Sequence, residues 1–354
     1  MTHPYSTLPD SSFWRRAVAG TSAENVDPVV EAKFVISHHD RIATAGSCFA
    51  QHLARRLELA GFNYLVTEDV PIGIDRSLAR DFGYRVFSAR FGNLYVPRQL
   101  LQLLGRSYGT YVPMDDRWSG GGGSIVDPFR PSIQPGGFRS VEEFVFFRNL
   151  HFEAVRKMVE TMSVFVFTLG LTECWANARD GSVYPVCPGT AGGGFDANEH
   201  IFLNLDYQEI LADLIEAFQF IRSKNSQVKF LVTVSPVPLV ATAEKGAHVL
   251  SATTYSKSVL RAVCGTIERR FGDVAYFPSY EIINGNFNRG AYFEKDLREV
   301  NEAGVDHVMR VFMRHFAAEH SVSPVPDRSE QPPVSAAKRV AQIVCDEEIL
   351  DQGR

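Results

Sequence analysis

The chain has 354 residues, of which 45% are hydrophobic and 22% charged, as is usual for a soluble globular protein with a large core. Its net charge is −5 and its basic residues are scattered, which argues against a nucleic-acid-binding surface. Five cysteines without paired spacing argue against a disulfide framework. No run of ~18 apolar residues and no secretory leader is evident. We therefore expect a cytoplasmic protein without a membrane span.

We predict three regions along the chain. Residues 1–40 form an N-terminal arm that packs through the aromatic residues of its segment 11–16. Residues 41–320 form one elaborated α/β domain. Residues 321–354 shift in composition and are predicted to be a proline-rich linker that ends in a short helix at 335–350.

The domain begins with a buried strand at 41–46, a sharp turn at Gly46 and a helix at 48–60. Two small nucleophilic side chains, Ser47 and Cys48, occupy this turn. Open α/β folds bind ligands at the carboxyl ends of their strands, and a helix amino terminus favours a thiolate or an oxyanion. The turn is therefore the first candidate for a reactive site.

The segment that follows is less regular. We predict a second strand near 64–66 and a helix from Pro97 to about residue 105, since proline suits a first helical turn. Residues 108–140 are predicted to be a loop insertion, with the glycine run 120–123 as a flexible tip. Ser140 is predicted to begin a helix that continues to about residue 162.

The second half alternates between strands and helices. The continuous apolar runs 164–169 and 228–234 are typical of central parallel strands that are covered on both faces. Further predicted elements are a loop region at 177–204, helices at 207–224, 249–271 and 302–318, and a strand at 274–278. This alternation predicts an α/β fold with a doubly wound, mainly parallel sheet.

The run from Gly46 to Ala50 spells the motif for which the GSCFA domain family is named, and the chain resembles that family from about residue 40 to 318. Supporting pieces occur at 91–95, 168–173, 234–237 and 293–309. The family in turn resembles the SGNH, or GDSL-type, esterases and acyltransferases. This resemblance implies a three-layer fold and ester chemistry.

The esterase blocks fall on this sequence in order but with altered chemistry. Cys48 occupies the nucleophile's place, beside Ser47. Gly92 corresponds to the glycine that supplies an oxyanion N–H, and Asn93 follows it. The remaining two blocks differ from the esterase pattern at two positions: Thr172, followed by Glu173, replaces an asparagine, and Glu299, three residues after Asp296, replaces the histidine.

The loss of that histidine leaves the general base open. Glu299 or Asp296 would orient a histidine from elsewhere in the chain, and the candidates are His52, His248 and His307. Spacing favours none of them. A cysteine nucleophile relaxes the need for a strong base because a thiol ionises more readily than a hydroxyl.

Each site residue also has a structural explanation. Cys48 would be an inert core thiol, Ser47 a helix N-cap and Asn93 a turn former. Thr172 and Glu173 would be a helix cap and a first-turn acid. The pair Asp296 and Glu299 would simply begin a helix.

We expect an acyl-ester hydrolase or O-acyltransferase that acts on a carbohydrate or small metabolite through a covalent intermediate at Cys48 or Ser47. The alternative is a non-catalytic protein that binds a glycan or another ligand on a degenerate esterase scaffold. No cofactor is expected, and zinc is disfavoured because no closely spaced pair of cysteine or histidine ligands occurs. The oligomeric state stays open.

Overall fold

The computed structural model describes residues 3–71, 79–318 and 346–350. In chain order the strands are β1 (Ile42–Gly46), β2 (Trp118–Ser119), β3 (Ile125–Val126), β4 (Val164–Leu169), β5 (Glu173–Asn177), β6 (Val183–Tyr184), β7 (His200–Asn204), β8 (Lys229–Val234) and β9 (Val274–Tyr276). The helices are α1 (Phe49–Leu59), α2 (Pro97–Ser107), α3 (Val141–Thr161), α4 (Tyr207–Lys224), α5 (Val249–Arg270), α6 (Ser279–Asn284) and α7 (Glu302–Phe316).

The main sheet contains β1, β4, β8 and β9 in the order β1-β4-β8-β9, and all its pairings are parallel. The expected mixed α/β fold with a mainly parallel sheet is thus confirmed. The strand expected near 64–66 is reduced to an isolated parallel bridge between Tyr64 and Ile42, on the outer edge of β1.

Helices cover both faces of this sheet, because side chains of a strand alternate between its two sides. Phe165 and Phe167 of β4 belong to a core cluster that includes residues of α2, α3, α4 and α5. Val164 and Val166, from the same strand, pack with residues of α1, α6 and α7. Burial on both faces explains why β4 is a continuous apolar run.

A second, antiparallel sheet was not expected from the sequence. It has the order β6-β5-β7, and Glu173 pairs with Asn204 at one end. The interpretation of Thr172 and Glu173 as a helix cap and first-turn acid is therefore wrong, because Glu173 begins a strand. Likewise, the loop regions predicted at 108–140 and 177–204 contain strands. The first holds β2 and β3, which pair antiparallel, and the second holds β6 and β7.

The N-terminal arm packs on the domain through apolar residues that include Phe34 and Ile36. Ile36 is fully buried, and its N–H donates to the carbonyl of Phe316 at 2.6 Å. Trp14 remains 64% exposed, so the expected packing through the aromatic segment does not hold for this residue.

The C-terminal region is described only in part. The predicted linker and most of the predicted helix at 335–350 lie outside the described residues. Asp346–Leu350, which is described, forms a short 3₁₀ segment. None of the helices in the described ranges has both the length and the apolar character needed to cross a bilayer.

Candidate active site at the carboxyl end of the parallel sheet

The turn after β1 requires glycine at its first position. Gly46 has φ +130°, and a Cβ atom there would lie 2.2 Å from the carbonyl oxygen of Thr168. The next residue, Ser47, donates its N–H to that same carbonyl at 3.0 Å. The turn is thus fixed directly against the carboxyl end of β4.

Backbone hydrogen bonds join this turn to two other segments that the sequence had singled out. The Leu94 N–H donates to the Gly46 carbonyl at 2.8 Å, and the Gly170 N–H donates to the Tyr95 carbonyl at 2.9 Å. Gly92, at φ +70°, begins the middle of these three segments. Three of the four predicted blocks therefore meet at one edge of the sheet.

Cys48 lies at the amino terminus of α1 with a reduced thiol that is 3% exposed. Ser47 is 2% exposed, and its hydroxyl has no hydrogen-bond partner among the described residues. The Ala50 N–H bonds to the Ser47 carbonyl, not to its side chain. The Ser47 hydroxyl therefore does not cap α1.

Asn93 lies beside the first turn of α1. It is 2% exposed, and its Oδ1 accepts a hydrogen bond from Gln51 Nε2 at 3.3 Å. Its Nδ2 and its backbone N–H both donate to the carboxylate of Asp346. Asn93 is thus placed as a donor to a negatively charged oxygen.

Lys257 of α5 is not among the site residues predicted from the sequence. Its side chain is 1% exposed, and its Nζ donates to the Gly170 carbonyl at 2.7 Å. Burial lowers the pKa of Lys257 to about 8, while the nearby Glu347 and Cys48 favour its charged form. The neighbouring Ser256 accepts from the Thr172 N–H at 3.0 Å. The available signal was the run of polar residues at 253–257, which includes both side chains.

The C-terminal segment Asp346–Leu350 enters this site. Asp346 Oδ2 accepts from Asn93 Nδ2 at 2.8 Å, and its Oδ1 accepts from the Ser132 hydroxyl. Its N–H donates to the Tyr95 hydroxyl at 3.2 Å. Burial raises the pKa of Asp346 against the effect of these donors.

Glu347 adds a second carboxylate next to two cations. Its Oε2 lies 3.3 Å from Arg298 Nη2, and Glu348 lies 3.6 Å from Arg298 Nη1. Burial raises the pKa of Glu347 to about 7, although Arg298 and Lys257 pull it down. No local pattern distinguishes Arg298 beyond its place in the last block.

Asp296 and Glu299, the predicted acids of that block, are exposed. Asp296 Oδ1 accepts from the N–H groups of Arg298 and Glu299, at 3.0 and 3.1 Å, and so closes a turn. Burial raises the pKa of Glu299, and the charge of Asp296 adds to this. Both acids line an open groove of about 540 Å³ next to Glu348. The turn directs Arg298, not the two acids, toward the C-terminal segment.

The three candidate histidines are not equivalent. His307 is buried, with one ring nitrogen 2.8 Å from the Tyr292 hydroxyl and the other 2.8 Å from the Val26 carbonyl. His248 is exposed and caps α5 by accepting from the Leu250 N–H at 3.1 Å. Both are thus engaged in structural contacts.

His52 lies one helical turn after Cys48 on α1. Burial lowers the pKa of His52 to about 4, and the charges of Arg55 and Arg56 add to this effect. Its ring contacts Phe49, with 5.6 Å between the two ring centroids. Of the three histidines, His52 is the nearest to Cys48 along the chain. Its lowered pKa keeps the ring neutral at pH 7.

Thr172 and Glu173 form hydrogen bonds with the segments around the antiparallel sheet. The Thr172 hydroxyl donates to Asn204 Oδ1 at 2.7 Å, and Glu173 Oε1 accepts from the Thr242 hydroxyl at 2.7 Å. Burial raises the pKa of Glu173. These bonds give both side chains partners other than Cys48.

The described ranges contain no group of three or more histidine, cysteine, aspartate or glutamate side chains that would hold a metal ion. Comparison with known proteins identifies a family. A model of the GSCFA family matches residues 41–312, which include all four blocks discussed above. A search of curated proteins found no match to the chain.

Proposed function

The chain belongs to the GSCFA family, and from its site we propose that it is an acyl-ester hydrolase or O-acyltransferase that forms a covalent acyl-enzyme at Cys48. Its substrate would be an ester of a carbohydrate or small metabolite. We further propose that the domain has the three-layer SGNH-like architecture. The bridge at Tyr64, the parallel order β1-β4-β8-β9 and helices on both faces support this architecture.

The observation that carries the proposal is the convergence of three kinds of group at one edge of the sheet. A thiol, an amide donor and a buried ammonium are supplied by Cys48, Asn93 and Lys257. Acyl transfer needs a nucleophile, a donor for the oxyanion and a group that moves a proton. Cys48 is preferred over Ser47 because the thiol needs the weaker base.

The first half-reaction begins with removal of the thiol proton from Cys48 by the neutral amine of Lys257. The thiolate attacks the ester carbonyl carbon, and the carbonyl oxygen becomes an oxyanion. Asn93 Nδ2 and the Asn93 N–H donate to that oxygen. When the carbon–oxygen bond to the alcohol breaks, the leaving alkoxide takes the proton from the Lys257 ammonium, and a thioester remains on Cys48.

The second half-reaction reverses these roles. Water, or a hydroxyl of an acceptor, gives a proton to Lys257 and attacks the thioester. The tetrahedral intermediate collapses, the Cys48 sulfur leaves and takes the proton back, and an acid or a new ester is released. A lysine with its pKa lowered to about 8 has a suitable driving force in both directions near neutral pH.

The test uses an activated ester, p-nitrophenyl acetate, and mass spectrometry of the intact protein. We expect a single acetyl adduct that peptide mapping locates at Cys48, and we expect Cys48→Ala to abolish it. Cys187→Ala is the matched control, because Cys187 is a partly exposed thiol outside the site. An adduct that persists in both variants would refute the nucleophile, and an adduct at Ser47 would move it by one residue.

One observation favours the alternative, a non-catalytic ligand-binding protein. Glu299 replaces the histidine of the esterase pattern, and both His248 and His307 are held in structural contacts. If no acyl adduct forms with any activated ester while a small ligand still protects Cys48 from alkylation, the binding function is the better description.

A further inference from the structure

We propose that the cleft beside Cys48 is a carboxylate-binding site, that its external ligand is an acidic ester or acyl compound, and that Asp346 and Glu347 occupy it as an internal competitor. This inference depends on the proposed function only where it describes the ligand as an ester. The site itself is defined by its contacts with the C-terminal segment.

The first half of the site binds a carboxylate through neutral donors. Asp346 receives hydrogen bonds from the side-chain amide and the backbone N–H of Asn93 and from the Ser132 hydroxyl. These donors come from two separate loops, and Asp346 is 2% exposed. Three donors directed at one carboxylate form an anion site that a substrate carbonyl or carboxylate would also fit.

The second half binds a carboxylate through cations. The Arg298 guanidinium is 13% exposed and Lys257 is 1% exposed, and both favour the ionised form of Glu347. Taking these cations out of water without an anion would be costly, since a buried charge that loses its partner is strongly destabilising. The cleft therefore places two cations around one acidic side chain, although burial still raises the pKa of that side chain to about 7.

The segment that supplies these acids, Asp346–Leu350, lies outside the part of the chain that the family model matches, residues 41–312. Its described residues, Asp346–Leu350, contribute no strand to any of the three sheets. Its three acidic residues contact the cleft through hydrogen bonds and ion pairs, which a free acidic ligand would reproduce. These features suit a segment that exchanges with a ligand, whereas a core element would be fixed by apolar packing.

The experiment measures the rate at which iodoacetamide alkylates Cys48 in the full-length protein, with peptide mapping to separate Cys48 from the other cysteines. The test variant Asp346→Lys/Glu347→Lys places ammonium groups against Lys257 and Arg298 and should release the segment. We expect alkylation of Cys48 to accelerate about tenfold or more, because reactivity follows the population of the open state. The control variant Asp10→Lys/Glu31→Lys reverses two exposed acids of the N-terminal arm and should leave the rate unchanged.

The same variant then tests the ligand class. The acetylated, amidated peptide Asp-Glu-Glu-Ile-Leu should restore protection of Cys48, whereas the neutral peptide Asn-Gln-Gln-Ile-Leu should not. Protection by both peptides alike, or by neither, would overturn the carboxylate site. An unchanged alkylation rate in the charge-reversal variant would overturn the internal competitor.

A merely structural role for the segment gives a different result. The variant would then lose thermal stability throughout the domain, and the acidic peptide would not restore protection. If the charge reversal prevents folding, the milder variant Asp346→Asn/Glu347→Gln replaces it in the same assay. Because neither readout requires turnover, both can succeed when no ester is cleaved, and the acyl-enzyme test can succeed when both fail.

Discussion

Lys257 brings an ammonium group into the protein interior next to a thiol. Its Nζ bonds to the Gly170 carbonyl, and burial lowers the pKa of this side chain to about 8. A lysine in this state exchanges a proton near neutral pH, which an exposed lysine does not. At the scale of single residues, this is the strongest chemical feature of the site.

Replacing Lys257 tests that feature. We expect Lys257→Met to slow acylation of Cys48 by ~10²–10⁴-fold, the usual contribution of a general base. The wild-type rate should rise with pH through about 8 as Lys257 loses its proton, and this limb should vanish in the variant. The measurement is the pH profile of acylation by p-nitrophenyl acetate. Lys257→Arg keeps the charge but cannot act as a base, so recovery of the full rate in that variant would contradict the role.

Gly46 permits a different prediction at the same scale. We expect Gly46→Ala to lower the free energy of unfolding by about 2–5 kcal/mol, from the clash with the Thr168 carbonyl and the positive φ together. Urea denaturation measures this loss. Gly61→Ala is the matched control, since Gly61 has φ +77° but nothing within 4 Å of the added Cβ. Equal losses in the two variants would mean that contact with β4 is not what requires glycine.

At the scale of elements, a buried ionic network supports the loops that line the site. His151 of α3 bonds to Glu68 at 2.7 Å, and the Arg90 N–H donates to the same carboxylate at 2.8 Å. Arg130 Nε lies 2.7 Å from Asp127 Oδ2, and the Arg130 side chain packs next to Gly92. The network therefore holds together the loops that present Asn93 and Ser132.

Through this network, the free energy of unfolding is expected to depend on pH. Burial and Arg130 lower the pKa of His151 to about 4, against the pull of Glu68, so the folded state holds this ring neutral. A lowered folded pKa means that the contribution to stability is complete above pH 6.5 and is lost as the pH falls from 6.5 to 4. For Glu68, burial alone would raise the pKa, but His151 and Arg130 lower it to about 2, so its contribution is lost between pH 4.5 and 2.

We expect His151→Gln to remove the first of these losses. The variant keeps a donor for Glu68 but cannot take up a proton, so its unfolding free energy should decline by roughly 3 kcal/mol less than that of the wild type between pH 6.5 and 4. Thermal denaturation at stepped pH measures the difference. His39→Gln, at an exposed position, should follow the wild-type curve. Identical curves for all three proteins would rule out His151 as the source.

At the scale of the whole molecule, the C-terminal segment completes a site that is otherwise built by distant parts of the domain. Asn93, Ser132, Lys257 and Arg298 come from four different segments and meet at Asp346 and Glu347. The pKa of Glu347 is raised to about 7 because burial outweighs the effect of the two cations. Glu347 therefore binds a proton more readily when the segment is docked, and it releases this proton when the segment leaves the site.

This linkage predicts how binding depends on pH. An acid whose pKa is raised on docking binds best below its free value, near 4.5, and loses affinity as the pH rises to about 7. The affinity of the acidic pentapeptide for Asp346→Lys/Glu347→Lys should thus fall by roughly tenfold or more between pH 5 and 7.5. Isothermal titration calorimetry measures it, and loss of the Lys257 proton above pH 8 should weaken binding further. Affinity that rises with pH would contradict the assignment of Glu347.

Local patterns were sufficient to predict the main architecture. The apolar runs of β4 and β8, the helix signals at Ser140 and Pro97, and the turn at Gly46 all act over a few neighbouring residues, so the linear sequence reports them. The strand–turn–helix pattern placed Cys48 at the edge of the sheet where the structure has it, and the family resemblance placed Asn93 there.

The sequence by itself determined a parallel α/β core, membership of a family through its motif, and the position of the Cys48 turn. Only the tertiary structure decided which charged groups meet there. Lys257 and Arg298 look like ordinary helix and loop residues, and Asp346 and Glu347 belong to a tail beyond the domain. Their contacts join segments far apart in the chain, and no local propensity encodes a contact that depends on how distant elements pack.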